Sequence, residues 1–149
     1  MITIESIKEL RKQTGISVSE CKKALEQAGG DMEKAKELLR EWGKGVAEKK
    51  GARKVGEGLV VSYVHGTGKV GSLVQVRCET DFVARSDDFK SLCHELALQV
   101  VSMEADTVQN LLGQEYMRDP SKKVNDVVAE AIAKLGENIV VEKFARFQM

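Results

Sequence analysis

The groups most able to do covalent or metal chemistry in this chain are two histidines, three cysteines, a glycine run beside a lysine, and a pair of adjacent aspartates. His65 and His94 fall in different stretches, and neither belongs to an H-x-x-x-H, C-x-x-C or H-E-x-x-H spacing, so no metal cluster is signalled. Cys93 and His94 are neighbours, but adjacent side chains on a helix point about 100° apart, which is wrong for a thiolate and its base. Cys21, Cys78 and Cys93 are odd in number, far apart and set among apolar residues, the pattern of reduced core thiols and not of a disulfide framework. Gly66-Thr67-Gly68-Lys69-Val70-Gly71 spells G-x-G-x-x-G, yet a dinucleotide loop must open a helix whose N-terminus takes the pyrophosphate, and here strand-forming residues follow. Gly68-Lys69 also fails as a phosphate loop, since Val70 replaces the hydroxyl residue and Tyr63 occupies the place of the first glycine. Asp87-Asp88 read as acid in a helix's first turn, favoured by the macrodipole by about 0.3–1 kcal/mol. No catalytic residue, metal ligand or cofactor is expected.

Thr80-Asp81-Phe82-Val83 needs a different explanation. These residues lie where the strand-like run Leu73 to Glu79 gives way to an amphipathic helix beginning near Asp87, which places an aromatic on a loop between two ordered elements. Phe82 either folds inward as a local plug or, with Asp81 fixing the turn, is presented to a pocket in another protein.

The elements that must hold this loop follow from periodicity. Residues 1–43 read as a three-helix module. Ile4, Ile7 and Leu10 share the first helical face, Ser17 and Glu20 form a capping box before Val18, Cys21, Leu25 and Ala28, and Asp31 caps a third helix ending at Gly43. Residues 44–56 carry Lys44, Lys49, Lys50, Arg53 and Lys54 against Glu48 alone, a basic linker with some helical character, either solvated or touching an acidic partner. Residues 57–149 form the remaining domain. Leu59–His65 and Leu73–Glu79 flank the glycines as a hairpin, with Val74, Val76 and Cys78 on one face. A helix from about Asp87 to Met103, capped by Ser86, aligns Phe89, Leu92, Cys93, Leu96, Val100 and Val101. Residues 104–122 are weakly patterned, a helix through Val124, Val128 and Ile132 stops at Gly136, and Asn138–Phe147 reads as a last strand. The fold class is therefore α+β: a helical module, a linker, and a small antiparallel three-stranded sheet with helices on one face. The other face is expected to stay partly apolar, through some of Leu59, Val61, Tyr63, Ile139, Val141 and Phe147, and to be covered by self-association or a partner.

Composition bounds the partners. Lys plus Arg and Asp plus Glu are equal at 23 each, so no global field draws the chain to DNA or to a membrane. The longest apolar runs fall far short of the roughly 20 residues that span a bilayer, and the N-terminus has neither an apolar nor an Arg-rich leader pattern, so the cytoplasm or an organelle matrix is the expected compartment.

With these residues in view, the chain resembles the elongation factor Ts family, the guanine-nucleotide exchange factors of elongation factor Tu. Thr14-Gly15, Cys21-Lys22-Lys23-Ala24-Leu25, Gly30-Asp31 with Ala35, and Leu39-Arg40 are similar to the family's N-terminal module, of ubiquitin-associated type. Thr80-Asp81-Phe82-Val83-Ala84 is similar to its signature loop, and Gly136-Glu137-Asn138-Ile139 with Phe144-Ala145-Arg146-Phe147 to its closing segment. The resemblance implies a factor that binds elongation factor Tu and releases GDP by inserting Phe82 into the G domain and disturbing the Mg²⁺ site there. It implies contacts from Thr80, Asp81, Phe82 and Val83 and, in the N-terminal module, from Arg11, Ile16 and Val18, together with a homodimer through the sheet as in the family's short form. The chain departs from the pattern in three places. Val18-Ser19 stand where larger apolar residues are usual, Ala145 stands where some short forms have a cysteine, and the segment between the helices at Leu96 and Val124 is abbreviated. Two other readings remain open at this point: an adaptor that binds a peptide or ubiquitin through its first 43 residues, and a small-molecule or RNA enzyme.

Overall fold

The computed structural model describes residues 1–149. Three helices open the chain, α1 (Ile4–Thr14), α2 (Val18–Gln27) and α3 (Met32–Lys50), and each begins at a side-chain cap: Thr3, Ser17 and Asp31. Leu10, Cys21, Ala24, Leu25, Ala35 and Leu39 close their small core. The module is as expected except at its end, because α3 runs through Gly43 to Lys50 and absorbs the first half of the basic stretch. Gly43 is there for packing and not for termination. It is buried where α3 crosses a later helix, α7 (Val124–Leu135), and a Cβ at this position would lie 3.4 Å from the Ala133 methyl. Polar pairs flank the crossing, with Lys44 Nζ 3.3 Å from Asp126 and Arg40 3.9 Å from Glu130. Burial opposes ionisation of Asp126, but the Lys123 N–H and the Lys44 ammonium outweigh it and hold the carboxyl below its usual range.

The remaining elements are β1 (Glu57–His65), β2 (Val70–Cys78), α4 (Asp81–Ala84), α5 (Asp87–Ser102), α6 (Val108–Gly113), β3 (Glu115–Tyr116), β4 (Asp119–Lys123), α7 and β5 (Val140–Gln148). The main sheet has the antiparallel order β1-β2-β5, with α5 and α7 on one face, the α+β architecture expected. Its core of 16 buried residues is built from Val74, Val76 and Cys78 of β2 against Phe89, Leu92, Cys93, Leu96 and Val100 of α5 and Val128 and Ile132 of α7. No helix is long and apolar enough to cross a membrane.

Two expectations are corrected. The weakly patterned residues 104–122 are ordered, as α6 and a second, two-stranded sheet β3-β4. The pairing is held from outside: Gln99, fully buried on α5, donates to the Gln114 side chain (3.0 Å) and the Glu115 carbonyl (3.1 Å) and accepts from the Met117 N–H (2.9 Å). Pro120 is tolerated because β4 pairs on one edge only.

The second correction concerns the open sheet face. Antiparallel register sets Leu59 opposite Val76 and Val61 opposite Val74, and paired residues share a face, so Leu59, Val61 and Tyr63 pack on the core with Ile139 and Val141. The residues left outside are Val60, Val64, Leu73 and Phe147; of those expected there, Phe147 alone remains.

Gly58 makes this pairing possible. Its φ is +148°, and a Cβ would sit 2.1 Å from the Val76 carbonyl oxygen and 2.8 Å from the Arg77 Cα. Gly58→Ala is therefore expected to destabilise the fold by about 3 kcal/mol, the upper range for forced overpacking, lowering the thermal midpoint by several degrees in calorimetry. A midpoint equal to wild type would show that β1 shifts freely here.

Candidate functional site

β2 ends at Cys78, and the chain turns at once into the single helical turn α4. Thr80 is its N-cap, with extended backbone (φ −127°, ψ 157°) and a hydroxyl that accepts from the Val83 N–H at 3.4 Å. Ser86 closes the other end: its hydroxyl donates to the Val83 carbonyl (2.7 Å) and accepts from the Phe89 N–H (3.2 Å), so one side chain ends α4 and starts α5. What the sequence reads as a loop is thus a capped turn. Ala84 is buried and Val83 packs on the core, and with these two anchored inward Asp81 and Phe82 must project outward. Phe82 is 77% exposed, so the inward-plug reading fails.

The projecting pair carries its own support. Asp81 accepts a hydrogen bond of 2.9 Å from Arg85, whose guanidinium also lies 5.8 Å from the centre of the Phe82 ring. Behind the turn, the Glu137 carboxylate accepts from the backbone N–H groups of Glu79 (3.1 Å) and Thr80 (3.0 Å) and from the Thr80 hydroxyl (2.6 Å). Neither Arg85 nor Glu137 was assigned a role from periodicity. Glu137 lies 57 residues from Thr80, and its only sequence signal is its place in the Gly136-Glu137-Asn138-Ile139 segment quoted for the resemblance.

Arg11, Ile16 and Val18 lie on the helical module. Arg11 is exposed, Ile16 is half-buried against the module's core, and Val18, expected on the core face of its helix, is 50% exposed because it begins α2, where the first turn has no helix above it. They do not share a site with the Phe82 turn, whose side-chain hydrogen bonds run to Glu137, Arg85 and Ser86.

The groups weighed for chemistry are dispersed. His65 meets the Tyr63 hydroxyl at 2.9 Å, while His94 stacks edge-on to the same ring, and no three His, Cys, Asp or Glu side chains converge where a metal could sit. Burial pushes the thiol of Cys78 up to about 11, Cys93 up to about 12, and Cys21 upward as well. A cleft between α3 and α7 is lined by Leu39, Arg40, Lys122 and Glu130, but its charges are already paired: Lys122 lies 3.0 Å from Glu130.

Comparison with known proteins agrees along almost the whole length. The family profile described as Elongation factor TS matches residues 79–149, and that described as Elongation factor Ts, mitochondrial, N-terminal matches residues 2–51. A protein named elongation factor Ts from Coprothermobacter proteolyticus is 42% identical, the match covering 99% of this chain and 98% of the relative. The chain belongs to the elongation factor Ts family. Another member, from Leptospira biflexa, is 40% identical over the same shares of both chains. The elongation factor Ts of Clostridium kluyveri is 48% identical over 98% of this chain but only 48% of its own length. Alignment to the Coprothermobacter protein runs over 193 positions, 44 more than this chain's 149 residues, so that relative carries residues with no counterpart here. The two profile matches bracket residues 52–78, and the Phe82 turn begins the second.

The buried thiols give a direct check on the absence of thiol chemistry. A maleimide at pH 8 is expected to label none of the three cysteines within minutes in the folded chain and all three in denaturant; rapid labelling of folded Cys78 or Cys93 would mean that the core opens far more readily than its packing implies.

Proposed function

We propose that this chain is a guanine-nucleotide exchange factor: it binds elongation factor Tu, both GDP-bound and nucleotide-free, and promotes GDP release during translation elongation by inserting Phe82 into the G domain. The observation that carries this reading is a phenylalanine 77% exposed on a turn capped at both ends and buttressed from behind. A ring left in water adds little to this chain's own stability beyond its contact with Arg85, whereas as an anchor it can fill an apolar pocket in another protein.

The mechanism is mechanical. A GTPase holds GDP through backbone N–H groups around its phosphates and through Mg²⁺ bridging to them. Phe82 enters an apolar crevice between two helices of the G domain, Asp81 makes polar contacts beside it, and Thr80 and Val83 fix the turn. The displaced helix disturbs the partner's Mg²⁺ site, the phosphate loop relaxes, and the nucleotide leaves. Coupling is reciprocal, so a factor that weakens nucleotide binding is itself bound less tightly once nucleotide returns, and incoming GTP expels it. The factor acts by binding and needs no catalytic group or cofactor of its own. The ubiquitin-associated-like N-terminal module adds a second contact through Arg11, Ile16 and Val18. The compartment is that of translation itself, the cytoplasm or an organelle matrix.

Truncating a buried aromatic anchor costs about 2 kcal/mol or more of binding. Phe82→Ala is therefore expected to slow the stimulated release of a fluorescent GDP from elongation factor Tu at least tenfold while leaving this chain's thermal midpoint in place; undiminished stimulation would remove the wedge.

We also propose that two copies associate through the open sheet face, on which Val60, Val64, Leu73 and Phe147 remain exposed. Light scattering at micromolar concentration should give a dimer mass, and Leu73→Glu a monomer with the fold retained. A monomer mass for the unaltered chain at that concentration would set the dimer aside.

A further inference from the structure

We propose that Glu137 is the positioning residue of the exchange turn, the group that aims Phe82; this rests on the reading of Phe82 as the wedge. A helix of four residues cannot hold its own direction, because a single turn closes on only one or two backbone bonds, such as Ala84 N–H to the Thr80 carbonyl (3.2 Å), and nucleation is unfavourable. The Thr80 cap is long at 3.4 Å and cannot do it alone. Three donors converge behind it on one carboxylate, the N–H groups of Glu79 and Thr80 on one oxygen and the Thr80 hydroxyl on the other. The same hydroxyl oxygen receives the Val83 N–H, so Glu137 is linked through Thr80 to the residue that follows Phe82.

These bonds end on Glu79 and Thr80, whose backbone angles set the direction in which Asp81 and Phe82 leave the sheet. Their origin is equally well held. Glu137 follows Gly136, which ends α7 in the left-handed conformation. The next residue, Asn138, is buried; its N–H donates to the Glu79 carboxylate (2.6 Å), and its side chain donates to the carbonyl of Arg53 (2.9 Å). Arg53 in turn lies 3.6 Å from Glu79. The turn is thereby tied to the end of α7 and to the segment leaving α3, which are the two elements that carry the helical module on the core.

A carboxylate suits this site best. All three groups facing Glu137 donate to it, two N–H groups to one oxygen and the Thr80 hydroxyl to the other, and its charge strengthens each bond; an amide keeps one oxygen for the two N–H groups but loses the charge and reverses the third bond, its NH₂ donating to a hydroxyl left without its own acceptor. A turn released from this grip would have to be ordered each time it met its partner, which raises the cost of association without removing any contact.

The test uses the full chain and three variants, Glu137→Gln, Thr80→Val and Thr80→Ser. Amide hydrogen exchange at Glu79, Thr80 and Val83, whose N–H groups are held by Glu137 or by the Thr80 hydroxyl, is expected to rise at least tenfold in Glu137→Gln with α5 unchanged, and stimulated release of fluorescent GDP at subsaturating factor to fall at least fivefold. Thr80→Val should reproduce both effects, so the proposal stays testable if Glu137→Gln does not fold. Thr80→Ser keeps the hydroxyl and should keep the amide exchange of the turn within twofold of wild type. The double variant Glu137→Gln/Thr80→Val should be no slower than the worse single one, since both cut the same link. Native exchange protection of the turn in Glu137→Gln, or wild-type release rates in that variant while Phe82→Ala is impaired, overturns the positioning role and leaves the wedge standing. Full activity of Phe82→Ala removes both.

Discussion

Most of this structure depends on the burial of one face of β2 against α5. Val74, Val76 and Cys78 meet Phe89, Leu92, Cys93, Leu96 and Val100 with essentially no solvent between them, and each large apolar side chain so buried contributes about 1.5–3 kcal/mol. Because β2 is the central strand, that contact also sets the orientation of both neighbours: a one-residue slip would turn Leu59, Val61 and Tyr63 of β1 into water. It also fixes where the chain must turn. β2 ends at Cys78 and α5 begins at Asp87, so the intervening residues span a rigid gap between two packed elements, and a projecting side chain there inherits the stiffness of both.

Stiffness is what a nucleotide exchange factor of this kind must supply. On the proposed reading, its work lies in holding an apolar group in water, at a cost, so that the group gains when it enters a crevice elsewhere. The fold meets that requirement with polar groups instead of apolar ones: Thr80, Ser86, Arg85 and Glu137 surround the base of the turn, while Phe82 is left uncovered. The arrangement divides labour between a dry core that sets position and a hydrogen-bonded rim that sets direction. The helical module is joined to the same frame by the close crossing of α3 and α7 at Gly43, so its exposed surface and the Phe82 turn belong to connected elements.

The residues between α5 and α7 illustrate how a small hairpin is closed from outside. A pair of very short strands is not stable by itself, and β3-β4 persists because Gln99 offers its amide to three backbone or side-chain groups of the hairpin. Tyr116 and Arg118 add contacts to Glu95, whose carboxyl is held below its usual range by these two partners despite its burial, while the Tyr116 phenol is pushed up to about 12, first by burial and then by Glu95.

The sequence alone determined whatever depends on neighbours along the chain. The caps Ser17, Asp31 and Ser86, the stop at Gly136, the alternation in β2 and the helical stripe of α5 are local, since each is set by residues within about one or two turns, and all appear where periodicity places them. The quoted segments also sufficed to point to the family. Tertiary structure decided what depends on residues far apart. Gly43 read as a helix stop because a lone glycine carries no sign of the helix that will press against it. Which residues stay on the open sheet face is not legible locally, because single-strand alternation does not say which side a partner strand will bury. The β3-β4 hairpin was missed because its hydrogen bonds come from Gln99 on another helix, and Glu137 because its donors lie 57 residues away. Whether Phe82 pointed in or out was decided by the anchoring of Val83 and Ala84 in a core that does not exist until β2, α5 and α7 have come together.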